Sequence, residues 1–243
     1  MFLLHIPHSG TDIPKEFIDD YLLPKIDLDK QILEYCDLYT DKIFQPLKDK
    51  FEFIQFEYSR MFCDVERFFN DSEENMYLKY KLGWFYETQI FSNTPLRNIK
   101  NKKLISKYYK NHHSKLNDLT KKLLKKHKTI TILDLHSFSD NKYWFHEKNT
   151  IYPDICIGFE DYHKNDKVII LIQEVFKDFN LSLNKPYSGS LVPNDYYQKN
   201  TNVKSVMIEI NKKLYLDNNN NISTNGYKII ELIKILAEKL ENI

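Results

Sequence analysis

Thr129-Ile-Thr-Ile-Leu-Asp-Leu-His136 decides how the chain is read. Its β-branched and leucine residues predict a central strand, and that strand ends on a histidine, an unusual residue at the tip of an apolar run. The same arrangement repeats outward in both directions. Upstream, Phe2 to Ile6 is a short apolar run halted by Pro7-His8-Ser9-Gly10, and residues 53–58 predict a second strand that stops at Ser59-Arg60. Downstream, residues 155–157 and 205–210 predict further strands, the latter carrying Glu209. Helical patterns lie between them. Residues 27–48 place Ile32, Cys36, Tyr39 and Ile43 along one row, and 101–128 offers Leu104, Tyr108, Leu116, Leu119 and Leu123 as a buried side. Two more helices are predicted over 168–179 and 226–240. Strands alternating with helices predict an α/β fold around a mostly parallel sheet. Without internal repeats or a Pro/Ser-rich linker, one domain is expected over residues 1–243.

Composition narrows the function classes. With 42% hydrophobic residues among 243, the chain can build a sizeable core, which excludes wholesale disorder. Lys+Arg (35) against Asp+Glu (34) excludes a nucleic-acid partner held by overall positive charge. The pairs Lys121-Lys122 and Lys125-Lys126 read as the solvated face of a helix. No apolar run approaches the roughly 18 residues of a membrane span, and Phe2 to Ile6 is too short for a signal-peptide core. Three scattered cysteines, Cys36, Cys63 and Cys156, point to a reducing compartment. A cytoplasmic protein with no nucleic-acid and no membrane partner is expected; its oligomeric state is open.

Ligand sites in open parallel sheets gather at the carboxyl ends of strands, where this chain places His8, Arg60 and His136. Asp134 falls on the same strand face as His136 and is placed to orient it or a neighbouring basic group. Asp37 sits at the rim of an apolar helical face, where an unpaired carboxylate is expensive, so it is the acid best placed to join the two histidines. Two histidines and a carboxylate suit a catalytic zinc ion; the plainer alternative for His8 is a turn histidine satisfied by backbone. Glu209, inside Ser205-Val-Met-Ile-Glu-Ile210, reads either as a desolvated general base or as an acid paired with a lysine or backbone donors. Only three arginines occur in this lysine-rich chain, Arg60, Arg67 and Arg97. Arg60 and Arg67 read as a clamp for anionic groups of a substrate, or as salt-bridge partners of Asp64 and Glu66. Tyr187 and Tyr215 are candidate donors to substrate.

These residues occur in one order: Pro7-His8-Ser9-Gly10, a helical Asp37, Tyr58-Ser59-Arg60, Asp64-Val-Glu66-Arg67, Asp134-Leu-His136-Ser137, Pro186-Tyr187-Ser-Gly189, and Ile208-Glu209-Ile210 leading to Leu214-Tyr215. Together with Pro153-Asp154 and Gly158 they resemble the N-formylglutamate amidohydrolase family over residues 1 to about 217. The resemblance implies a phosphorylase/hydrolase-like fold, three αβα layers with a mixed, mostly parallel sheet. It implies hydrolysis of N-formyl-L-glutamate to formate and glutamate, a step in histidine breakdown, on a small anionic N-acyl amino acid. By that similarity His8 and His136 are metal ligands for one divalent ion, Zn²⁺, and Glu209 is the acid/base. Asp37 is the expected third ligand, with Glu66 and Asp64 as competitors. Tyr109-Lys-Asn-His-His113 matches a family tyrosine–histidine segment, His113 otherwise reading as a helix-surface residue. Where the family commonly shows Asp-Leu-Asn-Arg, this chain has Glu66 beside Arg67, and Ser190 replaces a frequent glycine. Both departures bear on the substrate. The alternatives are a different N-acyl amino acid or peptide-like amide, as in zinc murein amidases, and a non-catalytic binding protein on the same fold.

Overall fold

The central strand of the sequence becomes one of the two longest strands of a six-stranded sheet. The computed structural model describes residues 1–70, 78–146 and 149–243. Strands β1 (Phe2–Ile6), β2 (Glu52–Gln55), β3 (Ile130–Phe138), β4 (Ile155–Gly158), β5 (Leu181–Leu183) and β6 (Val203–Asn211) lie in the order β2-β1-β3-β6-β4-β5. Every neighbouring pair is parallel except β4 with β6. β1 lies between β2 and β3, so the chain leaves it in opposite directions along the sheet. Such a switch opens a crevice at the carboxyl ends of the strands.

Register divides the two faces by chemistry. Leu4 pairs with Leu133, and Leu133 with Val206; His5 pairs with Asp134, and His136 with Glu209. Side chains alternate along a strand, so all members of a paired row share a face. One face carries Leu4, Ile6, Leu133, Leu135, Val206 and Ile208, packed in the main core against Ile172, Ile233 and Leu236. These come from helices α5 (Asp166–Val175) and α6 (Thr224–Leu240). The opposite face begins as a second core, where Leu3, Ile130, Ile132 and Val203 meet Leu116 and Leu123 of α4 (Lys102–Lys126). Nearer the carboxyl ends the same face turns polar, presenting His5, Asp134, His136 and Glu209. The three-layer expectation holds, because helices cover both faces of one sheet.

The expected helix over 27–48 is broken. Helix α1 (Lys25–Tyr35) ends with Cys36 extended, and two short helices follow, α2 (Thr40–Ile43) and α3 (Gln45–Lys48). Asp37 therefore lies in a connecting turn, not on a helix face. Its N–H donates to the His8 carbonyl at 2.8 Å, and Tyr39 takes a left-handed φ of 64°. Contacts across the sheet outweigh helical continuity here, and Pro46 in α3 could not have donated to a carbonyl one turn back. In α4 the buried row in the first turns is Ile105, Tyr109 and His112, while Leu104 is 47% exposed. That places the start of the apolar stripe one residue later than its leucines suggest. β5, only three residues long, lies outside the expected strands.

Candidate functional site

His8 follows β1 by two residues in a turn pressed against the chain after β2. A Cβ on Gly10 would stand 2.5 Å from the Glu57 carbonyl oxygen, so only glycine permits this approach. His136 rises from β3, and the turn after α1 brings in Asp37. His136 Nδ1 lies 3.0 Å from Asp37 Oδ2, and His8 Nδ1 lies 3.7 Å from the same oxygen. All three residues are buried, and their donor atoms lie within 4.8 Å of one another. Donors bound at about 2.1 Å in a tetrahedral site stand roughly 3.4 Å apart, a value the two separations bracket.

The nitrogens on the far side of each ring supply a second test. His8 Nε2 lies 2.8 Å from Asp64 Oδ1, and His136 Nε2 lies 3.2 Å from Asp134 Oδ1. An ionised carboxylate only accepts, so neutral His8 carries its hydrogen on Nε2 and turns a bare Nδ1 toward Asp37. That Nδ1 is buried with no hydrogen-bond partner among the described residues. Imidazoles that bind metals are commonly backed by a carboxylate in this way. The residues therefore fit a divalent cation.

The three candidate acids are held differently. Asp64 Oδ2 accepts from Arg60 Nε (3.1 Å), Arg60 Nη2 (2.8 Å) and the Tyr86 hydroxyl (2.5 Å), and its Oδ1 also takes the Glu66 N–H. It stands behind His8. Asp134 accepts from Leu191 N at 2.9 Å and stands behind His136. Glu66 approaches His136 only at Nε2, at 3.8 Å. Asp37 alone faces both Nδ1 atoms, and Ser137 N–H donates to the same Oδ2 at 3.1 Å.

Electrostatics separates the carboxylates. Burial by itself would raise Asp37, but the hydrogen bond from His136 and the nearby His8 imidazole hold it far below the usual carboxylate range. Burial likewise opposes ionisation of Asp64 and is outweighed by Arg60, His8 and Arg67. Among the described residues Glu209 accepts no such hydrogen bond. Burial, reinforced by the Asp37 charge against the pull of His136 and Arg60, pushes it up to about 8. Its Oε2 is buried without a hydrogen-bond partner among the described residues.

Every expected site residue except Tyr215 lines one cavity of about 330 Å³. Arg60 contributes a partly committed guanidinium, bonded to Asp64 and lying 4.4 Å over the Tyr35 ring. Arg67 and Tyr187 line the wall, as does Lys212. Tyr215 is fully buried outside the cavity lining, its hydroxyl donating to the Leu38 carbonyl at 2.7 Å and meeting Ser137 Oγ at 2.8 Å. It supports the turn that carries Asp37. His113 also lines the cavity, with Nε2 2.9 Å from the Val65 carbonyl.

Sequence reading missed His5, His112, Tyr86 and the role of Arg97. His5 carried the signal that exposed Glu209, a titratable residue inside an apolar strand. Tyr86 carried none. Arg97 is buried and donates to the carbonyls of Tyr86 and Phe62, bracing the loop that holds Arg60 and Asp64.

A family model described as N-formylglutamate amidohydrolase matches residues 1–216. The chain belongs to that family. The crystal structure of N-formylglutamate amidohydrolase from Ralstonia eutropha JMP134 shares the fold, with a TM-score of 0.84 at 16% identity over 99% of this chain and 92% of that one. A gene product of Agrobacterium tumefaciens gives a TM-score of 0.65, also at 16% identity, over 99% and 91% of the two chains. No curated protein matches the sequence. No helix among the described residues is long and apolar enough to cross a membrane.

Proposed function

We propose that this family member is a metal-dependent amidohydrolase that cleaves the acyl amide of an N-acyl amino acid, with N-formyl-L-glutamate as the first substrate to test. The observation that carries the reading is the convergence of two carboxylate-backed imidazoles on Asp37 Oδ2, with Glu209 beside His136 in the sheet register. His8, Asp37 and His136 would hold the cation, and their nitrogen and oxygen donors suit Zn²⁺. When bound, such an ion polarises an amide carbonyl and makes water acidic enough to react near neutral pH.

The chain's own residues supply the rest. Glu209 takes a proton from the attacking water at Oε2 and passes it to the departing amine nitrogen. Its high proton affinity suits exchange near neutrality, and a cation close by favours its ionised form. Arg67 meets a substrate carboxylate, and Tyr187 borders the same space. This orients the scissile bond before reaction. Arg60 is spent mainly on holding Asp64. One further feature favours a second substrate class: Glu66 lines the cavity next to Arg67, which disfavours a second carboxylate nearby and suits another N-acyl amino acid.

The test is formate release from N-formyl-L-glutamate, run beside a panel of N-acyl amino acids and with metal quantified in the same samples. Glu209→Gln is expected to retain the metal while turnover falls by about 10²–10⁴-fold. Full turnover in that variant would remove Glu209 from the chemistry, and equal rates on neutral amides would remove the arginine.

A further inference from the structure

Lys212 lines the cavity as its sole lysine among the described residues, and the reading above gives it no task. It follows β6 directly. Its Nζ donates to the Glu34 carbonyl at 2.6 Å. That carbonyl belongs to the last turn of α1, where backbone acceptors have no partner within the helix, so the lysine is fixed at its tip. An ammonium carries three hydrogens, and this bond uses one. Among the described residues no carboxylate pairs with it, whereas the exposed Lys213 pairs with Asp140 and Asp154, each at 3.4 Å. Glu34 does not answer the charge: its Oε1 is taken by Asn141 and Tyr143.

This cation lies across the reacting groups from Arg67. In the register of β3 with β6 the rows Asp134–Met207, His136–Glu209 and Phe138–Asn211 follow one another outward, and Lys212 continues past the outermost. Arg67 comes from the inner side. Its carbonyl accepts from the Tyr109 hydroxyl of α4 at 2.8 Å, the helix whose His112 meets His5, and His5 is paired with Asp134. The row of His136 and Glu209 therefore lies between the two cations, and an amide bound there has one of them on each side.

We propose that Lys212 binds an anionic group on the acyl side of the scissile amide, so that the preferred substrate is an N-acyl amino acid with a dicarboxylic acyl group, of the succinyl kind. The proposal rests on the amidohydrolase reading for where the amide lies. Arg67 meets the carboxylate of the amino acid, and Glu66 beside it disfavours a second carboxylate there. Lys212 receives that second carboxylate at the far end. A formyl group carries only hydrogen beyond its carbonyl carbon and leaves the lysine unanswered.

Calorimetry compares two uncleavable ligands of equal acyl length, the ketomethylene analogues of N-succinyl-L-alanine and N-butanoyl-L-alanine. The Zn²⁺-loaded protein is expected to bind the succinyl analogue about tenfold tighter or more, the size of one charge-assisted hydrogen bond. Lys212→Met is expected to bring the two affinities within about threefold of each other. If that variant fails to fold by circular dichroism, Lys212→Gln, which keeps a donor for the Glu34 carbonyl, takes its place. Equal or absent binding of the two ligands by wild type overturns the proposal, as does a preference that survives the substitution. Hydrolysis of N-formyl-L-glutamate and N-succinyl-L-alanine, measured on the same preparations, judges the amidohydrolase reading separately. A lysine-dependent preference without any turnover keeps the anion site at Lys212 and overturns that reading instead.

Discussion

Asp64→Asn is the sharpest probe of how this cluster is held. Asp64 receives His8 Nε2 and the Glu66 N–H on one oxygen, and Arg60 with Tyr86 on the other. Asparagine offers one acceptor and one donor group. If its oxygen stays with Arg60, its NH₂ faces His8 Nε2, which must then accept. The His8 hydrogen moves to Nδ1 and points into the Asp37 cluster. If the amide turns the other way, Arg60 is left opposite a donor in a buried position, where an uncompensated charge costs about 3–5 kcal/mol. Losing a carboxylate behind a metal-binding histidine typically lowers affinity 10–100-fold, or about 1.4–2.8 kcal/mol. The expected outcome is at least a tenfold rise in the Kd for Zn²⁺, measured by chelator competition at pH 7.5, with a lowered Tm. Tyr86→Phe is the control: it leaves Asp64 Oδ1 on His8 and should change the Kd by less than about fivefold, within ordinary hydrogen-bond energies. Folded Asp64→Asn protein with unchanged affinity would refute the tautomer argument.

Tyr215→Phe should lower stability by about 1–3 kcal/mol, the cost of leaving buried acceptors unserved, and leave KM unchanged; a raised KM would return Tyr215 to the substrate contacts. Gly10→Ala should destabilise the chain and weaken metal binding together, because its Cβ meets Glu57 O at 2.5 Å, and wild-type affinity would show the His8 turn to be pliable. Acid titration tests His113, which burial pushes down to about 4, against the Val65 carbonyl contact. The unfolded chain, with an ordinary histidine pKa of 6.5, binds more protons between those values. Stability therefore falls as pH drops from about 6.5 toward 4, by at most about 1.4 kcal/mol per pH unit from this group. His113→Gln should flatten the urea-derived slope in that window, and an identical slope would exclude it.

Much of the centre of the sheet was legible because β1, β3 and β6 are buried on both faces and read as apolar runs. A histidine or glutamate inside such a run is conspicuous, which is why His136 and Glu209 stood out. Asp37 is a different case: its apolar neighbours suggest a helix rim, whereas a turn bonded to the His8 carbonyl presents it. Asp64 and Asp134 were recognised as acids, but which of several carboxylates faces a cation and which backs an imidazole depends on ring orientation across three chain segments. The phase of α4 slipped because Leu104 is exposed while His112 is buried against His5. Apolarity alone does not report a polar residue recruited inward by a partner more than a hundred positions away.

The alternation along β3 has an evolutionary consequence. Leu133 and Leu135 sit in the main core, while Asp134 and His136 look into the cavity. A single-residue insertion or deletion within this strand would send the acid and the imidazole into oil and the leucines into the cleft. Foldability and chemistry are thus written in interleaved letters of one nine-residue word. Diversification of substrate preference is left to the flanking loops, where lengthening the chain shifts neither message.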